Sequence, residues 1–244
     1  MNSFPMQYDW PIKISSFDAG KDRRIKLSSI LRLQQEVGEL HLSSAGIPYK
    51  RLYDEGIVFI ASRLSVRIKR APVLGEDVVL RTWNRDSIAA QFYRCYQIFD
   101  GNGGILTEGI SSFVMINPVT RRLLRPTEFD RFNVPPQPER TVAIPDPPKL
   151  SLPAEMPLAG SRLVRYSEID YNLHLNNTNY ADFITDFMPG GMEGRVISGF
   201  SVSFLGELHE GDEVSVCALT DGSDVFYRGR SGGRTAFEAC CKIG

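Results

Sequence analysis

Histidine is nearly absent from this chain. Three occur in 244 residues, at positions 41, 174 and 209, so imidazole chemistry at neutral pH has very few places to reside. Cysteine is scarce too. Cys95, Cys217, Cys240 and Cys241 include no CxxC and no histidine at ligand spacing, so neither a zinc site nor a disulfide scaffold is indicated. Cys217, Cys240 and Cys241 fall in the apolar runs VSVCAL and AFEACCKI, where a small hydrophobe suits a sheet; for a nucleophilic role, none has a base beside it in sequence. No apolar run approaches the ~20 residues of a membrane span. The start, MNSFPMQYDWPIKI, lacks a basic n-region and an apolar h-region, which predicts an unprocessed cytoplasmic chain. A net charge of −1 leaves no broad basic footprint for nucleic acid.

What is present is an ordinary globular composition, 42% hydrophobic and 23% charged, in a length that suits one large domain or two smaller ones. Residues 133–160 hold eight of the fifteen prolines and no periodic pattern, the mark of a semi-rigid linker. This divides the chain into 1–132, the linker 133–160, and 161–244. The same order of elements is expected on both sides: a short strand, one amphipathic helix, then several long strands. The first helix is predicted from about Leu27 to Ser44, with Leu27, Ile30, Leu31, Val37 and Leu40 on one stripe and Gly46 and Pro48 closing it. The second follows Tyr180, Phe183, Ile184 and Phe187, with Asn176 or Asn177 as N-cap and Pro189-Gly190 as its end.

Sliding the chain on itself by 148 sets KLSSILRLQQE against HLNNTNYADFI, and by 136 sets SVRIKRAPVLGEDVVL (65–80) against SVSFLGELHEGDEVSV (201–216). Alternating apolar residues at 64, 66 and 68 and at 200, 202 and 204 predict strands, and DGNGG marks a hairpin between FYRCYQIF and GILTEGISSFVMI. One helix per four or five antiparallel strands gives an α+β class, with the helix on one face of a curved sheet. Two such sheets can join edge to edge and hide their edges.

EIDYNLHLNN, residues 168–177, places Asp170, Asn172, His174 and Asn176 at every second position. In an extended segment those groups share one face, with Ile169, Tyr171, Leu173 and Leu175 on the other. The pattern reads as a row of chemistry or, more commonly for polar alternation, as a half-exposed strand or an Asx-rich helix cap.

YSEIDYNLHLNNTNYADFI resembles the Asp-x-Asn-x-His-x-Asn-Asn-x-x-Tyr signature of the acyl-acyl carrier protein thioesterases, and EDVVLRTW, ending in Trp83, and SFVMINPVTRRLLRP resemble first-domain segments of that family. The resemblance runs from about Tyr8 to Ile243 and suits the bacterial branch. It implies a tandem (double) hotdog, two antiparallel sheets each wrapped on a long central helix. It also implies hydrolysis of fatty acyl-acyl carrier protein without a cofactor. The alternatives are an acyl-CoA thioesterase and a non-catalytic acyl-binding module; a hotdog hydratase is disfavoured because its usual Asp and His pair is not evident. The partner implied is an acidic acyl carrier protein, for which the basic clusters RLSVRIKR (63–70) and TRRLLR (120–125) are candidate receivers or merely solvated faces. A homodimer stays among the options.

Carried over by position, Asp170, Asn172 and His174 fill the motif, and Glu207 in FLGELHEGDEV stands where the family has a glutamate. The residue after it, a cysteine in some members, is Leu208 here, which argues against a cysteine mechanism. A thiol of pKa ~8.5 leaves with little help, so a carboxylate base can do most of the proton work. Glu207 with His174 and Asn172 is expected to activate water or to attack the carbonyl. Asp170 is expected to hold the loop, and the helix start at Asn176 and Asn177 to supply N–H groups for the oxyanion. The first half is expected to have lost this set, with Arg24, Lys26 and Ala71 opposite Asn172, His174 and Glu207, and to form an apolar acyl slot in which Leu31, Val37, Ile60 and Val66 are lining or plain core. GRSGG (229–233) matches a nucleophile elbow but lies between two predicted strands, so Ser231 is discounted. His209 reads as a turn residue, and His41 as packing or capping.

Overall fold

The computed structural model describes residues 4–244. The chain divides into two compact units, one ending at Asp146 and the other spanning Pro147–Gly244. The division falls inside the proline-rich 133–160 stretch, and the second unit's first strand begins at Leu158, before residue 161.

The first unit contains β1 (Tyr8–Lys13), α1 (Leu27–Ser44), α2 (Tyr49–Asp54), β2 (Val58–Ile68), β3 (Asp77–Ile88), β4 (Gln91–Phe99) and β5 (Ile105–Ile116). Its strands hydrogen-bond in the order β1-β3-β4-β5-β2, every neighbour antiparallel. Helix α1 has the predicted bounds and packs on β3 and β1. It ends as its sequence demands. Gly46 takes φ 74°, the Gly46 N–H donates to Ser43 O, and the Ile47 N–H reaches back to Leu42 O, the paired bonds of a glycine-terminated helix. The short α2, with Pro48 before it, was not anticipated. Its Leu52 joins a core of Ile47, Ile57, Met115, Phe129 and Phe132.

The second unit contains β6 (Leu158–Leu163), α3 (Tyr180–Asp186), β7 (Ile197–Phe204), β8 (Glu213–Asp221), β9 (Asp224–Ser231) and β10 (Arg234–Ile243), in the order β7-β10-β9-β8-β6. Matched strand for strand, this is the first unit's order again. In both units the strands flanking the Gly-acid turn, β2 with β3 and β7 with β8, are not partners. Each pairs elsewhere, and the turn carries the chain across the unit.

The expectation of two long helices fails in the second unit, where α3 has only seven residues. The Asn176 side chain accepts from the Thr178 N–H and hydroxyl, which draws Asn177–Asn179 into a 3-10 turn. Pro189, lacking an N–H, and two left-handed glycines, Gly190 and Gly191, then stop the run. Tyr180, Phe183 and Phe237 form its aromatic core, with Tyr180 edge-on to Phe237 at 5.0 Å.

Candidate active site

Residues 168–176 are a tight hook rather than the extended row anticipated. The Asp170 N–H donates to His174 O (3.0 Å), and Leu173 N–H to Asp170 O (2.9 Å). Ile169 and Leu175 bridge as antiparallel partners, and Leu173 takes φ 69°. The two-residue alternation is therefore broken: Leu175 is buried, but Tyr171 and Leu173 point into solvent at 61% and 76% exposure. A further bond, Leu175 N–H to Leu208 O (2.7 Å), ties the hook to the stretch after β7 that carries Glu207.

That tie brings three of the expected side chains together. His174 Nε2 lies 3.7 Å from Glu207 Oε1, and His174 Nδ1 lies 4.0 Å from Asp170 Oδ1. The imidazole thus stands between two carboxylates, near enough for electrostatic coupling but outside direct hydrogen-bond length. His174 and Glu207 remain 28% and 38% exposed, whereas Asp170 is 15% exposed and accepts from the Asn172 N–H (2.8 Å). Asp170 therefore braces the turn. Asn172 is half-buried on it.

Asn176 and Asn177 sit at the helix entry, as expected, but the donors there are partly consumed. Asn176 Oδ1 takes the Thr178 N–H, and the Asn179 N–H goes to Asn176 O. The Asn177 N–H makes no hydrogen bond among the described residues. The hydroxyl of Tyr180, buried beneath, has its pKa raised by burial first and then by the charges of Glu207 and Asp212.

Glu168 and Asn179 were missed. Glu168 Oε2 accepts from the Arg165 N–H (2.8 Å), its carboxylate pairs with Arg162, and its carbonyl receives Asn176 N–H (3.0 Å) and Asn179 Nδ2 (3.0 Å). This clamp sets where the hook leaves the chain. Its sequence signal is the acidic residue two positions before Asp170, matched by Asp18 before Gly20.

That match exposes an error of two residues in the expected alignment. The first unit repeats the hook at an offset of 150, not 148. Gly20 N–H to Arg24 O (2.8 Å), Arg23 N–H to Gly20 O (2.9 Å), the Ala19–Ile25 bridge and Arg23 at φ 65° each have their partner 150 residues on. The offset of 136 holds for the other segment, since Ile25 N–H donates to Pro72 O (2.8 Å) as Leu175 does to Leu208. Hence Gly20, Asp22, Arg24 and Ala71 stand opposite Asp170, Asn172, His174 and Glu207, and Lys26 stands opposite Asn176. The two copies also differ in closure. Arg24 and Val73 form a backbone bridge, with Leu74 N–H on Arg23 O (2.8 Å), whereas His174 and His209 form none among the described residues. His209 lies in the turn, its N–H on Asp212 Oδ2 (2.8 Å) and its ring perpendicular to His174 at 6.3 Å.

The remaining candidates lie elsewhere. Ser231 ends β9 in a hairpin with β10, which is no elbow. Leu31, Val37 and Val66 are fully buried and Ile60 half-buried. Burial pushes the thiols of Cys95 and Cys241 up to about 12 and that of Cys240 to about 11, the reverse of an activated nucleophile. No group of three or more His, Cys, Asp or Glu among the described residues is arranged to hold a metal, and no described helix is long and apolar enough to cross a membrane.

Residues 4–129 match the family model for the acyl-ACP thioesterase N-terminal domain, and residues 158–231 that for the C-terminal domain. A chloroplastic dodecanoyl-[acyl-carrier-protein] hydrolase of Cinnamomum camphora is 28% identical over 207 residues, covering 80% of this chain and 54% of that protein. The chain spans about half the length of the curated relatives it matches. The fold is shared with the 12:0-ACP thioesterase from Umbellularia californica (TM-score 0.84, 22% identity, 100% of this chain and 99% of that one). It is shared also with an acyl-ACP thioesterase from Bacteroides thetaiotaomicron (TM-score 0.82, 18% identity, 98% of both chains).

Proposed function

The chain belongs to the acyl-ACP thioesterase family, and from that premise we propose that it hydrolyses the thioester of a fatty acyl-acyl carrier protein and releases the free fatty acid. The observation that carries this reading is the approach of His174 Nε2 to Glu207 Oε1, 3.7 Å, in the one of two matched hooks that has both residues. Glu207 takes a proton from water as the water attacks the thioester carbon; His174, between Glu207 and Asp170, holds the carboxylate and water in line. The tetrahedral oxyanion accepts from the Asn177 N–H, with Asn172 on the same turn. Collapse breaks the C–S bond, and the carrier's thiolate takes up the proton. A good leaving group makes a strong general acid unnecessary. Leu208 after Glu207 offers no thiol, and the buried cysteines favour the same carboxylate route.

The finer architecture belongs to the same proposal: a tandem hotdog in which the unit of α3 bears the chemistry and the unit of α1 receives the acyl chain. The shared order of strands and the repeated hooks support it. The experiment is hydrolysis of a ladder of acyl-carrier thioesters with the released acids weighed. Glu207→Gln and His174→Ala should each lower kcat by about 10²–10⁴-fold while acyl binding persists. The double variant should lose far less than the product of the two single losses. Unchanged turnover in both single variants would falsify the site.

A further inference from the structure

The hook that holds Glu207 and His174 recurs in the first unit with the opposite charge. Segments 168–176 and 203–212 contain five acidic side chains and no Lys or Arg, a formal charge of −5 with histidines neutral. Their counterparts, 18–26 and 67–76, contain seven basic and three acidic side chains, a formal charge of +4. Where the acidic hook has Tyr171, Leu173, His174 and Asn176, the first has Lys21, Arg23, Arg24 and Lys26. Where the stretch after β7 has Leu205 and Gly206, the stretch after β2 has Lys69 and Arg70.

These two runs of cations share one surface. Ile25 N–H on Pro72 O (2.8 Å), Leu74 N–H on Arg23 O (2.8 Å) and the Arg24–Val73 bridge hold the turn against the strand end. Lys21, Arg23, Arg24, Lys69 and Arg70 are exposed. Internal acids neutralise only part of the patch. Arg67 pairs with Glu108, which Lys69 also reaches at 3.5 Å, and Arg70 is forked onto Glu76 (3.0 and 2.5 Å), but among the described residues Arg24 has only Asp22 at 3.9 Å, and Arg23 and Lys26 have no ion pair. Like charges held together by backbone bonds repel one another in the free protein. An acidic partner relieves that repulsion, and the other hook, with no Lys or Arg within its own segments, offers it no such site.

We propose that this closed, cationic copy of the hook is the docking surface for an acidic acyl carrier protein, a proposal that rests on the reading above. The second hook does the chemistry, and the first supplies the attraction the second cannot. Fields of this kind raise on-rates by about 10–10³-fold and fade as salt screens them.

The test compares wild type with Lys21→Glu/Arg23→Glu/Lys26→Glu and with Arg121→Glu/Arg122→Glu in the other basic cluster. The substrates are acyl-carrier protein, acyl-CoA and a neutral acyl-N-acetylcysteamine thioester. Binding of fluorescently labelled holo-carrier protein is read separately by anisotropy. The expected result is a loss of about tenfold or more in kcat/KM on acyl-carrier protein with matching loss of carrier binding, little change on the neutral thioester, and a wild-type salt dependence that the triple variant no longer shows. The proposal is overturned if carrier binding and turnover survive the triple reversal or fall only with Arg121 and Arg122. It is equally overturned if acyl-CoA loses as much as acyl-carrier protein, which would mark recognition of phosphate, or if the neutral thioester loses equally, which would mark damage to the fold. Should wild type hydrolyse none of the three, the enzymatic reading fails, while the binding measurement still decides the surface.

Discussion

His41 and His174 are the same side chain in opposed settings. His174 is partly exposed between two carboxylates, whereas His41 is fully buried on α1, with Nε2 2.8 Å from Pro5 O and Nδ1 3.0 Å from Arg94 Nη1. Arg94 can only donate, so Nδ1 accepts and Nε2 carries the proton toward Pro5. Burial first, then the Arg94 charge, hold this histidine down to about 4. The unfolded chain, with an ordinary value near 6.5, takes up the proton first as pH falls. The stability tied to neutral His41 is therefore fully present above about pH 6.5 and lost as pH drops toward about 4, on the order of 3 kcal/mol in all. Urea unfolding of wild type and His41→Gln between pH 7 and pH 4.5 should give curves that converge on the acid side. Parallel curves would show that His41 does not control this loss. The packing role of His41 was legible from its place on the helix. Arg94 was not, because an arginine in a strand ordinarily reads as a solvated face, and only the fold shows it trapped over Gly38.

At the scale of elements, legibility followed pattern length. Helix α1 has eighteen residues and a stripe that repeats several times, so both its ends could be read. The seven residues of α3 offer barely two turns: the cap at Asn176 and the stop at Pro189 were both legible, but not that the Asn176 side chain turns Asn177–Asn179 into a 3-10 turn. The hook failed as an extended segment because one left-handed residue, Leu173, reverses the chain, and alternation carries no mark of that. Sliding the halves to match Leu27 with Leu175 erred because it followed side chains, whereas the duplication is conserved in backbone bonds. Within β9, Gly229 is fixed by a neighbour: it pairs with Phe237 across the hairpin, and the Phe237 ring lies over it, where any Cβ would overlap the ring. That ring also meets Tyr180 at the root of the site. Gly229→Ala should therefore cost about 1–3 kcal/mol, read as a lower denaturation midpoint, with a weakened near-UV circular-dichroism signal as Phe237 and Tyr180 part. An unchanged midpoint would mean the ring moves aside freely.

For the whole chain, the central fact is one backbone hook made twice with opposite side-chain charge and different closure. Under the proposed site, the two copies differ in more than the residues at the positions of His174 and Glu207. In the first copy, the bridge between Arg24 and Val73 and the bond from Leu74 N–H to Arg23 O tie the hook to the strand end beside the positions matching His174 and Glu207, and the second copy has no such tie among the described residues. If closure is what silences it, restoring the missing groups will not revive it. In a Glu207→Ala background, adding Arg24→His and Ala71→Glu should leave hydrolysis at the level of Glu207→Ala alone, because the added groups would meet across an occupied backbone ladder with no room for water and a thioester carbonyl. Turnover rising about tenfold or more above that background would show instead that the missing acid and imidazole were all the first copy lacked. The same double variant also removes one positive charge and adds one negative charge on the cationic surface. Its carrier-protein affinity should thus fall even as its hydrolysis stays flat, a divergence that would separate the docking proposed for the first hook from the hydrolysis proposed for the second.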